Sequence, residues 1–170
     1  MCGERADLDA LYERFRGYVI HEDNLINHRT TWLVLIQSFL VASYGFAISR
    51  KFSGFANIVP EVSSARVHET VDQIDRFLLV ISVVGIFTAA ISFLSIFAAR
   101  LSISNLSKKF TSVDGFVTDP INYPSITGGG SRWATFLGFS TPLAIPFLLM
   151  GIWVYMLKVT VEFSFNISVG

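Results

Sequence analysis

Three long apolar runs set the pattern of this chain: Thr30 to Ser49, Phe77 to Ala99 and Trp133 to Leu157, none of which contains a charged residue or a histidine. A helix needs about 20 predominantly apolar residues to cross hydrocarbon, so each run predicts a transmembrane helix. The first run has a patterned leader. In residues 1–29, Leu8, Leu11, Tyr12, Phe15, Tyr18, Val19, Leu25 and Ile26 recur at three- and four-residue steps, the spacing of one helical face. Asp7 can cap the start of that helix, and the stripe enters the first run without a break. The prediction is a long amphipathic N-terminal helix continuous with the first span. Its apolar face can pack on its own chain, which is the favoured reading, or pair as a cytoplasmic stalk with other protomers.

Glu22 and Arg29 interrupt the stripe at seven-residue steps from Phe15. With Asn24 and Asn27 they form the densest polar group at a membrane boundary. We assign Glu22, Asn24, Asn27 and Arg29 to setting register and interface, within one protomer or between several.

Between the spans the pattern breaks down. Residues 50–76 read as a loop, punctuated by Gly54, Asn57 and Pro60, followed by a helix start with Glu69, Asp72, Asp75 and Arg76 on its wet face. Residues 100–132 read as a polar loop, with Leu101, Ile103 and Leu106 extending the second helix briefly and Gly128 to Gly130 as a flexible lead-in. That glycine run lacks the following Lys-Ser/Thr of a phosphate loop. Residues 158–170 alternate strictly, Val159, Val161, Phe163, Phe165, Ile167 and Val169 against polar neighbours. Period two predicts a short C-terminal β-strand that needs an edge from residues 52–64 or from a neighbouring protomer. The fold class expected is therefore an all-α integral membrane protein with three transmembrane helices and a possible terminal strand.

Few polar features lie inside the spans. Gln37 is the one strongly polar side chain, read as an inter-helix hydrogen bond in preference to a pore-lining amide. Gly85 and Ala89 form a small-xxx-small pair, with Thr88, Ser92 and Ser95 on a related face. Pro142 and Pro146 lie four residues apart and predict a bend, break or hinge in the third span, because each removes an amide donor. Trp32, Trp133, Trp153 and Tyr155 read as interfacial anchors, and Arg50 and Lys51 as the stop of the first span.

Composition supports the membrane assignment and narrows the chemistry. Of 170 residues, 52% are hydrophobic and 15% charged, against about 25% charged in an ordinary soluble domain. Formal net charge is zero, so no overall field attracts nucleic acid. The single cysteine, Cys2, excludes an internal disulfide, and no secretory or lipoprotein signal precedes it. His21, Glu22 and His28 are the only metal-like cluster, but the two histidines lie about 10 Å apart on a helix, and the zinc-peptidase motif is missing. No nucleophile-elbow serine and no intramembrane ionisable residue is present, so neither an enzyme, a bound cofactor nor a proton relay is expected. Placing the N-terminus inside leaves eight of the thirteen lysines and arginines cytoplasmic, the orientation that the positive-inside rule favours.

Tyr12, Glu22, Asn24, Asn27, Arg29, Trp32 and Gln37, leading into the first span, form a pattern that resembles the RipA-like octameric membrane proteins of bacteria. That family shows paired arginines before its first span where this chain has His28-Arg29. The resemblance, confined to residues 11–49, implies an inner-membrane homo-oligomer and transfers no catalytic residue. Two functions follow as expectations. One is a homo-oligomeric membrane assembly of structural, regulatory or channel-like role. The other is an anchor or accessory subunit that meets a different protein through residues 1–29 or 101–132, with a membrane-perturbing defence effector as a further alternative. Membrane lipid is the expected surrounding in each.

Overall fold

The computed structural model describes residues 2–56, 64–127 and 132–169. Its regular elements are helices: α1 (Cys2–Ala56), α2 (Ser64–Thr111), the single-turn α3 (Asp114–Thr118) and α4 (Arg132–Val169). α1 has 55 residues and runs about 80 Å at 1.5 Å per residue. The amphipathic leader and the first span are thus one helix. α1, α2 and α4 are each long and apolar enough to cross a membrane, with best-window mean hydropathies of 1.6, 2.6 and 1.8.

Hydrocarbon offers no partner for backbone N–H and C=O groups, so a helix that satisfies them within its own segment wins over local alternatives. Beyond the apolar runs a helix already nucleated gains one backbone bond for each residue it adds, and it is there that the structure departs from the sequence pattern. The C-terminal strand does not form: α4 continues through residues 158–169 despite their strict alternation. An isolated strand would leave a row of backbone groups unpaired, whereas continuation of α4 pairs them locally. Residues 50–56 are still α1, and α2 begins at Ser64, so the loop expected over 50–76 contracts; Asn57 and Pro60 lie outside the described residues. The loop expected over 100–132 also contracts, because α2 persists to Thr111. Gly128 to Gly130 fall outside the described residues.

Burial follows a seven-residue rhythm. On α2 the buried and half-buried positions include Val71, Asp75, Leu78, Ser82, Gly85, Ala89, Ser92, Ile96, Ala99, Ile103, Leu106 and Phe110, alternating steps of four and three. That is the 3.5-residue period of coiled-coil packing. On α1 the same alternation runs from Tyr12 to Leu33 and resumes at Gln37 after one extra four-residue step, a stutter.

The chain divides into two compact units. One comprises residues 1–31 and 92–145. Ile26, Ile96, Ala99 and Ile103 form one core cluster there, with Leu143 against it. A second cluster is aromatic: Phe110, Phe116 and Tyr123 are buried, and Leu8, Leu11, Tyr12 and Phe15 of α1 pack on them. Phe110 and Phe116 stack with centroids 4.7 Å apart, and Tyr12 meets both rings at an angle. The amphipathic stripe of α1 therefore has its covering in the same chain, supplied by α2, α3 and the segment after them. The other unit comprises residues 32–91 and 146–170. Its core is Tyr44, Ala47, Leu78, Ile81 and Trp153.

Candidate functional site

The unit built from residues 32–91 and 146–170 holds a polar knot in its interior, which also buries Lys51, Ser82 and Thr160. Gln37 on α1 is 3% exposed. Its Nε2 donates to the Gly85 carbonyl at 3.1 Å and to Thr88 Oγ1 at 3.0 Å, both on α2. Its Oε1 accepts from Nε1 of Trp153 on α4. One amide thus ties three helices, with both of its N–H groups used and its oxygen engaged. Thr88 passes its own proton to the Val84 or Gly85 carbonyl, at 2.9 and 3.1 Å.

Trp153 is completely buried. It fits because residue 85 is glycine: a Cβ there would overlap the indole carbons Cδ2 and Cε2. The small residue on α2 opens the notch, the indole fills it, and the indole N–H needs the acceptor that Gln37 supplies. Two turns along α1 from Gln37, Tyr44 continues the tie. Its ring meets Trp153 edge-on at 5.9 Å, and its hydroxyl lies 2.8 Å from Thr160 Oγ1.

At the end of the apolar run, Lys51 and Asp75 form an ion pair of 2.5 Å, with side chains 6% and 14% exposed. Burial of both charges makes mutual neutralisation obligatory, since an unpaired ion here would keep its full desolvation cost. Arg50, the next residue back, faces outward over the Phe46 ring at 5.2 Å.

The other unit carries two arginine clamps on helix carbonyls. Arg29 Nη1 donates to the Ser95 carbonyl at 3.0 Å. Arg100 Nη2 donates to the Gly138 carbonyl at 2.8 Å. Gly138 lies four residues before Pro142, so its carbonyl is the one whose helical donor the proline ring removes. Arg100 supplies the missing donor, and α4 stays a continuous helix across Pro142 and Pro146. Of the alternatives expected at Pro142 and Pro146, bend, break or hinge, the unbroken α4 excludes the break. Pro146 is fully buried in the other unit.

The residues singled out in the sequence are thus distributed unevenly. Glu22 and Arg29 are half-buried on the packed face of α1, while Asn24 and Asn27 point outward. Gln37 sits in the knot. Trp153, read as an interfacial anchor, is instead a core residue. Lys51 and Asp75, read as a stop signal and a wet-face carboxylate, are partners. Among the described residues no group of three or more His, Cys, Asp or Glu side chains is placed to hold a metal ion. Comparison of the chain with protein-family models, with curated proteins and with solved structures found no match.

Proposed function

We propose that the chain is a non-enzymatic membrane scaffold that assembles with copies of itself in a bacterial inner membrane, its N-terminus cytoplasmic. The observation that carries this reading is the outer face of α1. Ser38, Ala42, Gly45 and Ser49 are exposed at steps of four, three and four, and a Cβ at Gly45 would meet nothing within 4 Å. Small residues at that rhythm let a second membrane helix approach closely. The spans also offer ample outward surface: only 28%, 28% and 17% of their best windows are buried within the chain. Gln37 is consumed by bonds to its own protomer, which supports a structural or regulatory role over conduction along that residue.

The test is the particle mass in lipid nanodiscs. Expected is a multiple of the 18.9 kDa chain, falling when Gly45→Leu blocks the small face. A monomer at every protein-to-lipid ratio overturns the reading, and stoichiometric co-purification of a second protein replaces it with the anchor function. Orientation is tested with Cys2, the only cysteine. A membrane-impermeant maleimide should label it only after spheroplasts are opened; labelling of intact spheroplasts reverses the topology.

A further inference from the structure

A partly open cavity of about 170 Å³ lies within the unit of residues 32–91 and 146–170, beside the Lys51–Asp75 pair. Tyr44, Phe52, Val159 and Thr160 contribute to its walls. We propose that it binds a small neutral single-ring aromatic molecule that carries one O–H or N–H donor, the chemistry of a phenol.

Four observations define that ligand. The volume matches one ring, since an apolar cavity of about 150 Å³ takes up benzene. The walls are mostly apolar, and the two charged side chains at the edge neutralise each other at 2.5 Å, so neither an anion nor a cation finds an unbalanced partner. The depth is that of the membrane interface: the uncharged run of α1 ends at Ser49, two residues before Lys51. Amphipathic rings concentrate at this level, with the apolar body in hydrocarbon and the polar tip toward water.

The fourth observation is an acceptor. Thr160 Oγ1 can donate its proton to the Met156 carbonyl at 2.9 Å. In the 2.8 Å contact between the hydroxyls either oxygen can donate, and the Tyr44 hydroxyl also reaches the Met156 carbonyl at 3.4 Å as an outlet for its proton. With its proton on either acceptor, the Tyr44 oxygen keeps acceptor capacity, because a phenolic hydroxyl can donate once and still accept. A ligand donor satisfies it; a plain hydrocarbon ring does not.

The experiment is a ¹⁹F NMR titration of the full chain in nanodiscs against empty nanodiscs, and its readout is independent of particle mass. The probes are 4-fluorophenol, fluorobenzene and 4-fluorobenzoate. Expected is saturable binding of 4-fluorophenol in excess of lipid partition, about five- to tenfold tighter than fluorobenzene, the effect of one hydrogen bond. Tyr44→Phe should abolish that preference while retaining the ring. Val159→Trp, at a partly exposed wall position, should fill the space and weaken phenol binding at least tenfold with the helical circular dichroism unchanged. Partition equal to empty nanodiscs, unchanged binding by a folded Val159→Trp chain, a preference that survives Tyr44→Phe, or tighter binding of the benzoate would each overturn the proposal.

Discussion

Replacing Gln37 with leucine tests whether the polar knot holds the helices together. Leucine keeps an apolar side chain of similar bulk and removes three hydrogen bonds. The losses are unequal. Thr88 still has the Val84 and Gly85 carbonyls as acceptors, so its hydroxyl remains satisfied. The Gly85 carbonyl belongs to a continuous helix. The Trp153 N–H, on a residue with no exposure, loses its acceptor outright. A buried donor left unmade costs about 1–3 kcal/mol. Inter-helix hydrogen bonds in membranes measure about 0.6 kcal/mol on average and about 1.7 at most, which sets the lower part of the range. We expect a destabilisation of about 2 kcal/mol, roughly thirtyfold in the unfolding equilibrium constant. The assay is reversible unfolding in mixed micelles on raising the dodecyl sulfate fraction, followed by circular dichroism. Trp153→Phe in the same background closes a double-mutant cycle, and the coupling should be about 1 kcal/mol or more. An additive cycle, or a Gln37→Leu protein within about 0.3 kcal/mol of the parent, would refute the idea that the amide locks the bundle.

Three other outcomes follow from the same packing. Arg100→Met should destabilise the chain by about 1.5–3 kcal/mol at the Gly138 carbonyl, and Pro142→Ala should remove most of that penalty by restoring the helical donor; micelle unfolding of the four variants measures the coupling. Lys51→Met should cost about 3 kcal/mol by removing the charge that neutralises the buried Asp75, whereas Lys51→Met combined with Asp75→Leu should recover to within about 1 kcal/mol, and a double variant no better than the single would contradict the pairing. The Tyr123 hydroxyl donates to Asp9 at 2.7 Å, and that bond, with burial and the Asp9 charge, raises its pKa above the ordinary 10.0. Folding thus favours the protonated phenol: the stabilisation is complete below pH 10 and is lost as pH rises through the folded-state value. The stability gap between the parent and Tyr123→Phe should hold from pH 7 to 9 and shrink above pH 10.

The spans were legible because about 20 uncharged residues leave hydrocarbon few alternatives. Gln37 was legible for the same reason, as the one amide in such a run. Its partner was not. Trp153 carries an N–H and an apolar body, which suits an interface as well as a core; only the notch at Gly85, more than sixty residues earlier, selects the core. Gly85 was visible as a small residue, but what fills a notch is a tertiary fact. Lys51 and Asp75 each read as wet because ionisable residues are seldom buried alone. Their pairing needs α1 and α2 side by side, a relation that local pattern does not encode. The terminal alternation misled because period two reports which residues are apolar, not whether an edge exists to receive them. The apolar stripe ahead of the first span announced a buried face, and Leu8 to Phe15 do pack, but the aromatic partners lie in a stretch whose prolines and glycines masked three well-spaced rings, Phe110, Phe116 and Tyr123.

The seam of α2 keeps one spacing through two solvents. Across the middle of the uncharged run its positions are Ser82, Gly85, Ala89 and Ser92; beyond the run, which ends at Ala99, they are Ile103, Leu106 and Phe110. Lipid tails are as apolar as leucine, so bulky knobs gain little by leaving them, and attraction must come from backbones brought close by small side chains. Water reverses that preference and rewards area removed from it. A single geometric rule is thus written in two vocabularies, and exchanging them would fail in opposite ways. Large residues at 82–92 would wedge the helices apart in the bilayer, and small ones at 103–110 would leave the aqueous extension without a reason to close.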